Sequence, residues 1–298
     1  MVTIDKPRDK DVHTLSDFAE MLCLLTPDRV CSRDSIQDHV RDAGDARVSD
    51  EDLDDCFTNL QWRQLAFGAD YPFTLAADGR TFQAPEDLPE RQRLYALLLL
   101  CSGLPYTPPP YNPLTDAFER VALAALKSVW PAGGVIRAFG KNETEYTGPK
   151  WHRLNTLAAD IGGEGRCNEH TFRDRDQGDG GIDLVAWVEL DEHERWNIPS
   201  ALAQCACSRE NWSAKQTEIS ADRLGNEIHA THRWMQILFI PQCFRDSRGR
   251  WAVPGDIGQM VLFDRLRIVK QFHGNVDWAV INAPPLFATF LAQRHELV

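Results

Sequence analysis

The stretch from Gly178 to Lys215 does most to limit what this chain can fold into. Gly178-Asp179-Gly180-Gly181 is a glycine-rich entry, and Ile182 to Leu190 starts as an apolar run in which Asp183 is the early acid. Asp191 to Asn197 is a charged turn. Ala201-Leu202-Ala203-Gln204-Cys205-Ala206-Cys207 is a second apolar run with one amide inside it. Short apolar runs bounded by turn residues read as strands, so the segment predicts two strands joined by a polar turn. An acid opening one strand and a glutamine inside the next form an arrangement suited to a hard divalent cation, because oxygen ligands favour Mg²⁺ or Mn²⁺.

These residues resemble the PD-(D/E)xK nuclease superfamily, most closely its Mrr-like restriction endonuclease branch. The pattern there is Gly-Gly-hydrophobic-Asp, a hairpin, then Gln-x-Lys. Asp183 and Gln204 match the acid and the Glu/Gln position, and Ala206 stands where the family has its lysine. Lys215, in Glu210-Asn211-Trp212-Ser213-Ala214-Lys215, is the candidate for a relocated lysine. The resemblance covers roughly residues 114–240. It implies an α/β (α+β) fold with a restriction-endonuclease-like mixed sheet flanked by helices. It also implies a Mg²⁺ (or Mn²⁺) cofactor and cleavage of DNA, a chemistry that commonly serves bacterial defence against foreign DNA.

Each candidate residue carries a second reading. Asp183 is a metal ligand or a turn aspartate capping its strand. Gln204 is a ligand or an amide paired to a neighbouring backbone group, since an unpaired buried amide is costly. Glu119, on the helix expected from Leu114 to Val129, is the further carboxylate the superfamily often draws from that helix, or a solvated helix residue. Asp179 is a metal ligand or a hairpin aspartate. Lys215 is the catalytic cation or an ordinary helix lysine. Arg245, Arg248 and Arg250 surround Gly249 in a polar loop, and Arg265 and Arg267 lie two apart on a presumed strand from Val261 to Val269. All five arginines are candidates for phosphate contact; the alternatives are a solvated turn for the first three and pairing with Asp264 and Asp256 for the last two.

Helical spacing and caps organise the front of the chain. Leu15 to Leu25 predicts a first helix, and Ser32 caps a second that reaches about Asp42. Ser49 caps a third, with Leu53, Phe57, Leu60 and Leu65 on its apolar face. Two short runs across Asp78-Gly79 predict a hairpin, and Glu90 to Ser102 a fourth helix. Three helices and a hairpin resemble a winged-helix order. Pro105, Pro108, Pro109, Pro110 and Pro113 read as a stiff linker, which sets the expected division into residues 1–110 and 111–298. Behind it the expected order is a helix, a strand at Val135 to Phe139, a helix at about Trp151 to Ile161 and the two central strands. A helix from Trp212 to His229, a strand from Met235 to Ile240 and a last helix from Pro285 to His295 follow.

Charge bears on partners. The net charge is −12, which is unusual for a nucleic-acid binder. Residues 1–110 hold 11 Lys and Arg against 20 Asp and Glu, a balance of −9; residues 111–298 hold 21 against 24, a balance of −3. The third front helix opens on Asp-Glu-Asp-Leu-Asp-Asp, which repels phosphate, so the front domain is expected to meet a protein partner rather than DNA. DNA remains the expected substrate of the rear domain, and a homo-oligomer stays open. No apolar run spans a bilayer and no early apolar segment suggests a signal peptide, so no membrane partner and a cytoplasmic location are expected. The eight cysteines read as free thiols rather than a zinc site built from Cys167, Cys205, Cys207 and Cys243. The sequence lacks a P-loop, a Gly-x-Gly-x-x-Gly and a Gly-x-Ser-x-Gly, so NTPase, dinucleotide and hydrolase-elbow readings find no support.

Overall fold

The structure is a computed structural model that describes residues 1–44, 48–140, 144–173, 176, 178–272, 277–282 and 284–294. Among these the chain is mixed α+β. Its front elements are α1 (Val12–Leu25), β1 (Val30–Ser32), α2 (Arg33–Asp42), α3 (Asp50–Phe67), β2 (Thr74–Leu75), β3 (Thr81–Gln83) and α4 (Glu90–Ser102). Then come α5 (Asn112–Val129), β4 (Val135–Ala138), α6 (Lys150–Asp160), β5 (Gly163–Gly165), β6 (Leu184–Trp187) and β7 (Ser200–Cys205). The rear holds α7 (Trp212–Lys215), α8 (Ala221–Leu224), β8 (Ile228–Ala230), β9 (Met235–Phe239), β10 (Val261–Phe263), α9 (Arg265–Lys270), α10 (Trp278–Asn282) and α11 (Pro285–Ala292).

These elements form two compact units whose division is not linear. The first is Met1–Phe118 with Pro241–Pro254 and Asp264–Val298; the second is Glu119–Ile240 with Gly255–Phe263. The expected split at residue 110 therefore differs from the units: two segments beyond it belong with the front of the chain. The reason lies in a buried ionic cluster of the first unit. Arg63 pairs with Asp17 (2.7 Å) and Glu20 (2.9 Å), and Arg265 pairs with Asp17 (2.9 Å) and Glu20 (3.4 Å). All four side chains are buried. Tyr71 and Tyr95 donate to Glu20, and Ser102 donates to Asp17. Buried charges persist only when paired and hydrogen-bonded, so Arg265 holds the chain's rear segment in the core of its front unit.

Around that cluster the local signals act as expected. Ser32 and Ser49 each close a capping box with the residue three positions on. In α4, Leu94 and Leu97 to Leu100 are all buried, each contributing about 1.5–3 kcal/mol. Two details differ. β1, which pairs with β3 to give the sheet order β1-β3-β2, was not expected from three residues of mixed character. Leu65 is 79% exposed, and the inner face of α3 uses Cys56, Asn59 and Arg63 instead.

The second unit is built on a five-stranded mixed sheet ordered β10-β9-β7-β6-β4. β4, β6 and β7 run antiparallel in sequence, while β9 lies parallel to β7 and β10 parallel to β9. The Asp191 carboxylate accepts from the His193 and Glu194 N–H groups and closes the charged turn between β6 and β7. Val185, Trp187 and Leu202 of this hairpin share a core with Leu154, Leu157 and Ala158 of α6 and with Ile219, Leu224 and Trp234.

Three expectations are corrected here. The helix from Trp212 to His229 is two single turns, α7 and α8, followed by β8. Thr217 and Ser220 hydroxyls bond the Ala214 and Thr217 carbonyls, and Ser220 caps α8; such side-chain competition interrupts a helix. The strand from Val261 to Val269 ends at Phe263, because Asp264 caps α9 by accepting from the Arg267 N–H. The last helix, expected from Pro285 to His295, is α11 and ends at Ala292, α10 precedes it as a helix that was not expected, and His295 lies outside the described residues.

Candidate functional site

Asp183 sits at the mouth of β6, one residue before the Leu184–Ala203 pair, and Gln204 is the next residue beyond that pair on β7. The Asp183 N–H donates to the Ala203 carbonyl (2.9 Å), and its own carbonyl accepts from Phe139 (2.7 Å) and Gly140 (3.1 Å) at the end of β4. The residue is thus fixed by backbone bonds to both neighbouring strands. Its carboxylate Oδ2 accepts from the Cys205 N–H at 2.7 Å. A Cβ at position 140 would lie 3.3 Å from Oδ1, so the glycine there lets the carboxylate lie close to the β4 end.

The electrostatics of Asp183 are unusual for an aspartate. Burial pushes its carboxyl up to about 7, the Cys205 N–H opposes this, the charges of Glu119 and Asp179 raise it further, and Lys215 lowers it. Glu119, Asp179 and Lys215, named from sequence, therefore act on Asp183 through their fields. Asp179 also shapes the entry turn by accepting from the Gly181 N–H at 2.8 Å. Among the described residues no three His, Cys, Asp or Glu side chains form a metal-holding group. Glu119 and Asp179 supply negative field at Asp183.

Gln204 is 3% exposed. Its Nε2 donates to Glu218 Oε2 at 2.5 Å, while its Oε1 is buried with no hydrogen-bond partner among the described residues. Asp183 and Gln204 together offer oxygen donors only, the set that suits Mg²⁺ or Mn²⁺. Mg²⁺ usually keeps several waters and takes one or two carboxylates from the protein, so a two-residue site fits it. Ala206, at the motif's lysine position, is fully buried and donates its N–H to the Phe239 carbonyl.

Three residues escaped the sequence reading. Glu218 lies between α7 and α8 and binds Gln204. Arg223 donates to the Gly180 carbonyl at 2.6 Å and the Glu218 carbonyl at 2.5 Å, tying the glycine entry to that segment. Arg153 of α6 donates to the Phe139 carbonyl and feels the charge of Asp179. Breaking the expected helix at Thr217 was the signal needed to find Glu218; nothing in the sequence points to Arg153.

The arginine candidates are corrected in part. Arg265 is fully buried on Asp17 and Glu20 and cannot face nucleic acid. Arg245 is bound by Asp264 at 2.8 and 3.1 Å, with its guanidinium 3.7 Å from the Trp251 ring centre. Arg250 is exposed and paired with Asp246 at 2.9 Å. Arg248 and Arg267 are exposed. All five belong to the first unit, whereas Asp183 belongs to the second.

Cysteine chemistry at the site is quiet. All eight cysteines are free. Burial, followed by the charges of Asp183 and Glu119, pushes the Cys205 thiol well above its ordinary range, which disfavours the thiolate needed for zinc or nucleophilic chemistry. Cys243 lies in the first unit, apart in membership from Cys167, Cys205 and Cys207. Comparison of the chain with protein families, with curated proteins and with solved structures found no match. Among the described residues no helix is long and apolar enough to cross a membrane.

Proposed function

We propose that the protein is a metal-dependent nuclease that cleaves phosphodiester bonds of DNA at the Asp183–Gln204 site. The observation that carries this reading is a buried Gln204 oxygen, unpartnered among the described residues, next along β7 from Ala203, whose carbonyl accepts from the N–H of Asp183. Helix α5 and strands β4, β6, β7 and β9 come in the order that the resemblance to the PD-(D/E)xK superfamily led us to expect, with the single turns α7 and α8 and strand β8 in place of one helix, which supports the reading.

Asp183 and Gln204 would hold a Mg²⁺ or Mn²⁺ ion. Such an ion, when bound, acidifies water and offsets charge on a phosphate. The chain's own groups do the rest. Cys205 N–H restrains one carboxylate oxygen of Asp183. Glu119 and Asp179 add negative field that favours a cation over an ionised, empty carboxylate. Lys215, whose charge reaches Asp183, would offset charge on the scissile phosphate and stand in for the lysine absent at Ala206.

In the first unit, three helices with a β1-β3-β2 sheet support the winged-helix-like reading. The first turn of α3 carries Asp50, Glu51 and Asp52, and Asp54 and Asp55 are exposed beyond it. A protein partner suits that surface better than a phosphate backbone does. A second reading rests on Ala206: with that position apolar and buried, the fold would be a catalytically inactive subunit for DNA binding or protein assembly.

Incubation of supercoiled plasmid with Mg²⁺, with Mn²⁺ and with EDTA tests the proposal. Metal-dependent nicking or linearisation that survives purification to constant specific activity is expected. Intact plasmid in every lane, with the protein folded, favours the inactive-subunit reading.

A further inference from the structure

The geometry points to Glu218 as a positioning residue that orients the Gln204 amide so that its oxygen faces a bound cation. This rests on the metal-site reading above and adds to it the residue that makes a neutral glutamine an effective ligand.

An amide group can present either its oxygen or its NH₂, and the two ends have nearly the same shape. A carboxylate accepts only. With Glu218 Oε2 2.5 Å from Gln204 Nε2, the NH₂ end is committed to Glu218 and the oxygen must take the other direction. That oxygen is the one left buried and without a partner among the described residues. A glutamine in an apolar strand with no such acceptor could turn its NH₂ toward the site and repel a cation.

The surroundings hold Glu218 in this place. Gly181 has φ +83°, and a Cβ there would meet Glu218 Oε2 at 2.6 Å and Glu218 Cβ at 2.7 Å. Glycine at 181 is thus needed both for its left-handed backbone and for the close passage of Glu218. Arg223 donates to the carbonyls of Gly180 and Glu218 and pins the two segments together. Gly180, Gly181, Glu218, Arg223 and Gln204 form one connected unit.

Equilibrium Mn²⁺ binding, read by the electron paramagnetic resonance of free Mn²⁺ without DNA, tests the role. Partners behind a metal ligand typically contribute 10- to 100-fold in affinity, so Glu218→Ala should weaken Mn²⁺ binding by about 10-fold. Glu218→Gln should recover most of that loss, because its carbonyl can still accept from Gln204. Glu218→Met replaces the alanine variant if that one does not fold. In a Gln204→Leu background, Glu218→Ala should cost nothing further, since residues acting through one another are not additive. An unchanged affinity in Glu218→Ala, or the same loss in the Gln204→Leu background, overturns the positioning role while leaving the Asp183 site intact. Mn²⁺ binding by Asp183→Ala equal to that of the parent overturns the site reading and this role with it.

Discussion

Asp183→Asn should make the metal-free protein more stable, by an amount that grows from about pH 4 to pH 7 and is complete above it. The parent carboxyl titrates at about 7 in the folded chain, raised by burial and by Glu119 and Asp179; unfolded, it titrates at about 3.9. A shift of about 3 units corresponds to roughly 4 kcal/mol against the ionised form. Because the side chain is partly accessible to water, solvent screening reduces the expected cost to about 2 kcal/mol. Between about pH 4 and 7 the folded state binds more protons than the unfolded state. Stability of the parent therefore falls relative to the variant as pH rises through that window, and the gap levels off above it. Asparagine keeps an acceptor for the Cys205 N–H and removes the charge, so the difference isolates the ionisation. Urea unfolding in EDTA at about pH 4, 5, 6, 7 and 8 measures it. The variant should gain about 2 kcal/mol at the top of the range and only a small part of that at the bottom. At Mn²⁺ about 100 times its dissociation constant the parent alone should gain roughly 2.7 kcal/mol. A gap that does not change with pH, or a variant less stable at about pH 8, refutes the assigned electrostatics.

Three further outcomes are expected. Arg265→Met leaves Asp17 and Glu20 with one cation fewer in a fully buried cluster; removing one partner of such a pair costs about 3–5 kcal/mol, read as a lower urea midpoint. Residues 1–118 expressed alone lack Arg265 and the rest of their unit, and should show broad amide NMR dispersion loss and rapid proteolysis where the whole chain resists. Lys215→Ala should slow cleavage by on the order of 10²–10³ with unchanged circular dichroism; a rate equal to the parent's removes Lys215 from the chemistry.

The sequence made some parts of this structure legible and hid others for physical reasons. Ser32 and Ser49 announced their helices because capping is local. The hairpin of β6 and β7 was readable because Gly180, Gly181 and the Asp191 turn bound two apolar runs, and Asp183 and Gln204 could be named from it. The rest depends on contacts distant in sequence. Arg265 and Asp17 are 248 residues apart, and the two-residue spacing of Arg265 and Arg267 looked like one face of a strand until Asp264 capped a helix. Glu218 was hidden inside a segment whose composition allowed a continuous helix; only the hydroxyl bonds of Thr217 and Ser220 break it. The return of residues 241–254 and 264–298 to the first unit was hidden for a related reason: a linker marks where one segment ends, not which later segments return.

The most direct test of the central claim is the rate of cleavage of a labelled DNA duplex by parent and Asp183→Ala proteins at saturating Mn²⁺, each shown to be folded. The account predicts cleavage by the parent that EDTA abolishes and none by the variant. Equal cleavage by both proteins, or cleavage by the parent that persists in EDTA, contradicts it.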